Sequence, residues 1–317
     1  MTKRVVVTDH TFPLLAAERS AAEKAGASLE AHQCRDADTV AAAVDGADVV
    51  VVQFAPMTAR AIAGLKDGAR IIRYGVGFDN IDVAAARKRA VDVAYVPDYC
   101  TDEVADHTAT LILALLRKLS RLDAGVRAGR WTAVKDAAPL PRFEDTTVGF
   151  IGLGRIGRAV LERLRPFRFR FLVFDPAPGD LPVGAERAHR SEDVLSAADA
   201  ITLHAPSTPT TRGMINAATL KRMKPTAFLV NTARGDLIDE AALADALAAG
   251  TIAGAALDVF QTEPLPASSP LRTAPNLTLS PHAAWYSDAS IGKLQSLAAD
   301  EIARALAGAP ARCPVPA

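Results

Sequence analysis

The chain has 317 residues, 50% of them apolar, with 36 Lys+Arg against 36 Asp+Glu and a formal net charge of zero. That length suits two domains rather than one, and the charge balance makes no electrostatic case for nucleic acid or an anionic membrane, leaving a small molecule or a second copy as partner. Three scattered cysteines, Cys34, Cys100 and Cys313, lack metal-ligand spacing and argue against a disulfide framework, and no apolar run approaches the ~20 residues a bilayer needs, so the expectation is a cytoplasmic protein without a metal.

In chain order, Met1-Thr2-Lys3-Arg4 runs into three valines, too short for the apolar core of a signal peptide. Short β-rich runs at 4–8, 28–31, 47–54, 70–74 and 91–96 alternate with Ala-rich helical stretches near 13–25, 36–45, 58–66 and 81–89. Alternation at this interval predicts βαβ units around a parallel sheet. The first strand leads into Asp9-His10-Thr11 rather than a glycine-rich phosphate turn, so this module is α/β without being a cofactor binder. Residues 101–128 read as one long helix. Thr101 can cap it, Asp102 and Glu103 suit its positive end, and Val104, Leu111, Leu115, Leu119, Leu122 and Val126 recur at three- and four-residue steps up to Gly129. At about 28 residues it would span ~42 Å, enough to bridge two domains or cross a dimer interface.

A second α/β module starts at Thr147, with a strand at 147–151, a glycine turn, a helix at 158–164 and a strand at 169–174. Further strands are expected at 200–204, 227–231, 253–258 and 277–279, and 287–308 is helical in pattern and able to return to the first module. The fold class is α/β: two doubly wound parallel-sheet domains, flavodoxin-like and Rossmann, with the second inserted into the first. The expected boundaries are 1–100 plus 286–317 for a substrate-binding domain and 101–285 for a dinucleotide-binding one.

Gly152-Leu153-Gly154-Arg155-Ile156-Gly157 lies directly between a strand and a helix. The first glycine permits a tight turn, the second lets backbone reach a pyrophosphate, and the third lets helix and strand pack closely. The helix N-terminus then presents free N–H groups to the phosphates. Asp175 stands about 20 residues on, at the end of the next strand, where a carboxylate accepts from a ribose diol and repels a 2′-phosphate. Pro176, Ala177 and Pro178 follow without an adjacent arginine, which favours NAD over NADP, although Arg187 or Arg190 could reach the site. In the first module, Gly75-Val76-Gly77 can expose backbone N–H groups as an anion nest; it can equally be an ordinary strand–helix turn capped by Asp79 or Asn80.

Three residues near the far end each follow a strand-like run: Arg234 in 230–235, Glu263 after 255–260, and His282 after Ser280-Pro281. Open α/β sheets place their chemistry at these strand ends. An imidazole can give a carbonyl oxygen its proton as hydride arrives, a carboxylate on the far ring nitrogen stabilises imidazolium, and an arginine orients and polarises the substrate. A lone histidine would more often be structural; the ordered set points to acid–base-assisted hydride transfer to a 2-keto acid. The basic run 163–170 reads as a solvated helix end, and Arg117, Lys118 and Arg121 as cations late in their helix.

On these motifs, from the Gly75–Asp82 turn through the glycine fingerprint to Ser280-Pro281-His282, the sequence resembles the D-isomer-specific 2-hydroxyacid dehydrogenases over nearly its whole length. The resemblance implies a substrate domain from both chain ends, a central NAD domain, a cleft between them and a homodimer. It implies Arg234 as the substrate-orienting cation, Glu263 as partner of His282, and His282 as general acid/base, with Val76 and Gly77 binding a substrate carboxylate. Val96-Pro97, Glu103–Asp106 and His282–Ser287 resemble the C-terminal-binding-protein-like branch, by which Arg73 also contacts the carboxylate and Trp285 walls the pocket. Thr108, the stretch His204, Ala205, Pro206 to Thr211, Thr232, Ala233 and Asp258 map onto cofactor contacts. The animal members of that branch act as corepressors, so an NAD(H)-sensing interaction protein stands as the alternative to an enzyme. Gln53-Phe54-Ala55-Pro56 reads as a second pocket wall, which leaves hydroxypyruvate or glyoxylate, a phosphoglycerate-type acid and a larger apolar keto acid open as substrates. Arg168 replaces a common family glycine and is expected to alter its loop; Glu263 stands where formate-oxidising relatives carry an amide, which disfavours formate; and no regulatory extension follows the last helix, which disfavours serine feedback.

Overall fold

The computed structural model describes residues 2–177 and 179–316; Met1, Pro178 and Ala317 lie outside the described residues. The chain divides into two units, Met1–Cys100 with Ser287–Ala317, and Thr101–Tyr286.

The first unit holds β1 (Arg4–Val7), β2 (Ser28–Ala31), β3 (Val49–Val52), β4 (Arg70–Arg73) and β5 (Asp92–Tyr95), all parallel in the order β2-β1-β3-β4-β5. This is the flavodoxin-like winding. Val5, Val6 and Val7 and all four valines of β3 are buried, as central strands covered on both faces require. The helix Asp288–Leu306, capped by Ser287 through the Ser290 N–H, belongs to this unit and packs on Ala16–Lys24. Its Glu301 meets Arg70 at 3.0 Å in a buried ion pair.

The second unit carries β6 (Thr147–Ile151), β7 (Arg170–Phe174), β8 (Ala185–Arg187), β9 (Ala200–Leu203), β10 (Phe228–Asn231), β11 (Gly254–Leu257) and β12 (Leu277–Leu279). Their order is β12-β11-β10-β9-β6-β7-β8, all parallel: a Rossmann sheet with one strand added at its far edge. Strand β8 is absent from the sequence reading because Ala-Glu-Arg carries no β pattern. Two helices, Thr101–Leu116 and Leu119–Arg127, replace the expected single one. Lys118 breaks it with φ +52°, its Nζ donating to Pro139 O at 2.9 Å. The first piece, 16 residues long, spans only ~24 Å, well short of the expected ~42 Å. Its start at Thr101 makes that residue the first of the helix rather than a cap.

The helix after the glycine turn begins at Arg155, three residues earlier than expected. The basic run is a largely exposed helix end and loop, as expected, with Arg163 paired to Asp102 and Asp106 and Arg165 to Glu162. Arg168 takes the left-handed conformation itself, at φ +61°, where glycine would be unstrained. No helix among the described residues is long and apolar enough to cross a membrane.

Candidate active site

Strands β10, β11 and β12 lie side by side, with Asn231 opposite Leu257 and Leu257 opposite Leu279, so their C-terminal loops leave one sheet edge together. Buried Asn231 shapes the first loop, accepting from Ala233 N–H at 3.0 Å and donating to Arg234 O at 2.8 Å. Arg234 donates to Ala233 O at 2.6 Å. In the second loop Glu263 Oε1 accepts Phe260 N–H at 2.9 Å, and Oε2 lies 2.6 Å from His282 Nδ1 of the third. About a third of each of these two side chains is exposed (32% and 33%), so the pair is held yet reachable.

Burial works to raise the Glu263 pKa, but the hydrogen bond and charge of His282, the Phe260 N–H and the Arg234 cation outweigh it and hold the carboxyl below its ordinary range. Glu263 is therefore ionised at neutral pH, and a ring nitrogen 2.6 Å from it carries a proton. With Nδ1 so committed, proton exchange with a substrate falls to Nε2. The three predicted catalytic residues are thus brought to one place.

Asp258, at the end of β11, builds the His282 loop. Its carboxylate accepts Ser280 Oγ–H at 2.5 Å and the N–H groups of Ala283 and Ala284 at 2.9 Å each, and its carbonyl accepts His282 N–H at 2.8 Å. The residue is 0% exposed, so its visible duty is to hold the loop rather than to face a cofactor. The same holds for Thr108, also 0% exposed, whose hydroxyl bonds Val104 O and Thr232 Oγ1 at 2.6 and 2.7 Å.

The glycine turn has the shape a dinucleotide needs. Gly152 sits at φ +94°, with the His204 backbone 2.7 Å from where a Cβ would be, whereas a Cβ on Gly154 would meet nothing within 4 Å. The turn is therefore closed on its inner side and open on its outer one, above the N-terminus of the helix that starts with Arg155, Ile156 and Gly157. Asp175 Oδ2 accepts Leu153 N–H at 2.6 Å and Oδ1 accepts Ala177 N–H at 2.8 Å, so its carboxylate ties the turn to the loop that follows β7. Lone pairs remain for a ribose diol. Arg187 donates to Gly179 O, and Arg190 pairs with Asp193. His204 stacks on Phe150 at 5.9 Å and lies 3.0 Å from Thr202 Oγ1; burial pushes its imidazole down to about 3. From there Ala205 and Pro206 lead to Thr211, which closes the loop by donating to Pro206 O at 2.6 Å. These residues fit a dinucleotide such as NAD.

In the first unit, taken by itself, Arg73 ends β4 with its guanidinium 5.9 Å from the Phe54 ring centre and over Gly75, where a Cβ would fall 2.5 Å from Nη1. Gly75 donates to Arg73 O, while the N–H groups of Val76 and Gly77 have no backbone acceptor among the described residues. The helix Val83–Lys88 is capped by Asp82, not by Asp79 or Asn80; Asn80 instead donates to Ala55 O at 2.9 Å. Gln53 turns inward, 2% exposed and paired with Thr11, so of that stretch Phe54, 45% exposed, is the residue that can wall a pocket. Buried Asp9, in place of a glycine turn, gathers the N–H groups of Gln53, Phe54 and Ala55. Trp285, in the second unit, packs edge-on against Tyr286 at 5.9 Å.

Sequence reasoning missed Asn231, Ser280, His107 and the structural duties of Asp9 and Asp258. Only Ser280 carried a signal, its place two residues before His282.

Residues 109–284 match the family described as D-isomer specific 2-hydroxyacid dehydrogenase, NAD binding domain. The chain is 39% identical over 243 residues to a glyoxylate reductase of Thermofilum pendens, covering 75% of this chain and 72% of that one. It is 36% identical over 273 residues to a glycerate dehydrogenase of Methylorubrum extorquens, covering 84% and 85%. Among solved structures it is similar to an NADPH-dependent glyoxylate/hydroxypyruvate reductase of Sinorhizobium meliloti, with TM-score 0.85 and 30% identity over 99% of this chain and 97% of that one. The chain therefore belongs to the D-isomer specific 2-hydroxyacid dehydrogenases, as an NAD-dependent oxidoreductase acting on 2-hydroxy acids.

Proposed function

We propose that the chain works as a reductase of small 2-keto acids, of the glyoxylate or hydroxypyruvate kind, reversible as a 2-hydroxyacid dehydrogenase. The observation that carries this reading is the Glu263–His282 pair, 2.6 Å apart, on loops of the same sheet edge as Arg234. When bound, NADH supplies the hydride that reaches the keto carbon. His282 holds the proton at Nε2 and passes it to the carbonyl oxygen, with Glu263 stabilising the imidazolium before transfer. Arg234 orients the substrate and polarises its carbonyl; the first unit, taken by itself, offers Arg73 and the Val76 and Gly77 N–H groups as a nest for a carboxylate. The names of the relatives favour the smaller acids over a phosphoglycerate-type or apolar one. Asp175 supports NADH over NADPH.

The test is NADH oxidation against glyoxylate, hydroxypyruvate, pyruvate, 2-oxobutyrate, phenylpyruvate and 4-methylthio-2-oxobutyrate, repeated with NADPH. Fastest turnover of the first two is expected, with losses of on the order of 100-fold or more in His282→Ala and Arg234→Ala. Near-wild-type rates in both variants would overturn the mechanism.

We further propose a homodimer formed through the second unit. Trp131 and Val134 stand 89% and 81% exposed, with Leu119 and Val126 also outward, beside a groove lined by Leu115, Pro139, Phe228 and Leu277. Exposed apolar side chains gathered on one segment mark an association site.

A further inference from the structure

His107 and Thr108 are consecutive residues of the helix Thr101–Leu116, and each reaches a different catalytic loop. Thr108 Oγ1 lies 2.7 Å from Thr232 Oγ1, two residues before Arg234. His107 Nε2 lies 3.1 Å from Ser280 Oγ, two residues before His282. The direction of the second contact follows from counting protons. Asp258 acts as an acceptor at both carboxylate oxygens, so the single hydroxyl proton of Ser280 goes to Asp258 Oδ1, 2.5 Å away. Ser280 is left to accept from His107, which places a proton on His107 Nε2. The chain runs from His107 Nε2–H to Ser280 Oγ–H to the Asp258 carboxylate.

That carboxylate anchors an unusual backbone. His282 stands at φ +52°, a conformation unfavourable for a residue with a Cβ that persists only where its surroundings over-determine it. Asp258 supplies the constraint, through its carbonyl on His282 N–H and its carboxylate on Ser280, Ala283 and Ala284. His107 ties this set to a helix that also holds, through Thr108, the loop of Arg234.

We propose that His107 is a positioning residue for hydride transfer, acting through Ser280 and Asp258 on the placement of His282 and never touching the reacting atoms. The proposal rests on the reading of His282 as the acid/base. The experiment measures kcat and KM with the keto acid of the panel that wild type reduces fastest, and NADH affinity by fluorescence titration. His107→Leu and Ser280→Ala are each expected to lower kcat on the order of 10- to 100-fold while KM and NADH affinity stay within about twofold. His107→Gln, whose amide N–H can still donate to Ser280, is expected to recover most of the rate. In a His282→Ala background, His107→Leu is expected to cause no further loss, since the two act as one unit.

Full kcat in His107→Leu and Ser280→Ala, no rescue by glutamine, or additive losses in the double variant would each overturn the proposal. If His107→Leu does not fold, Ser280→Ala against His107→Gln carries the same comparison. A dead His282→Ala beside a full-rate His107→Leu would sink this inference alone. An active His282→Ala, or a wild type silent across the panel, would remove the acid–base reading and this one with it.

Discussion

Gly235 presses against Phe260 so closely that a Cβ added to Gly235 would lie 1.9 Å from the Phe260 carbonyl carbon. The neighbour is backbone, so no rotamer change can relieve the clash. This contact locks the Arg234 loop to the loop that carries Glu263, and it explains why a glycine follows the arginine. Gly235→Ala is expected to drive the loops apart and lower kcat on the order of 100-fold. Since the glycine turn lies on other strands, NADH affinity should be retained; turnover and cofactor titration on the same preparation check both halves.

Acid should destabilise the fold through His204. Its folded pKa is about 3, below the ordinary 6.5 of an unfolded chain. Between those values the unfolded state binds the extra proton, so the stability contributed by the neutral ring is complete above about 6.5 and is lost as pH falls toward 3. The ionised Glu263 adds a similar loss at lower pH, below the ordinary carboxylate range. Thermal melts should show a falling midpoint from pH 7 to pH 5, and His204→Gln should flatten that dependence.

Arg168 occupies a left-handed position with its own N–H closing onto Arg165 O at 3.0 Å. Glycine there removes the Cβ penalty while adding freedom to the unfolded chain, so the net gain from Arg168→Gly should be about 0.5–1 kcal/mol. A rise in denaturation midpoint at unchanged activity is the expected result, and a fall would show that the arginine side chain holds the turn.

The proposed dimer predicts that charge at its most exposed apolar residue is disruptive. Trp131→Glu should convert the sedimenting species to a monomer at micromolar concentration, while a dimer of unchanged affinity would place the interface elsewhere.

Much of this was legible in the chain. The valine runs of β1 and β3 and the strand-then-loop settings of Arg234, Glu263 and His282 are local patterns, and local patterns survive folding. What stayed hidden is tertiary. Lysine is a good helix former and the apolar spacing continues past it, so nothing in the sequence marks Lys118 as a break. Strand β8 is stabilised by pairing with β7 rather than by its own side chains. Asp258 and Asp9 look like ordinary strand-end turn formers until the amides they gather, two to four dozen residues away, are seen beside them.

Asp175 braces the glycine turn through Leu153 and Ala177, and under the proposed cofactor preference the same carboxylate would also offer its charge to the ribose. Selectivity and architecture are therefore not separable at this position. An engineer who exchanges the acid to admit a phosphorylated nucleotide also removes the staple between the turn and the loop after β7. Conversion of the coenzyme preference should accordingly demand a compensating change in that loop, and a lineage drifting between the two cofactors would have to cross a valley of weakened binding to both.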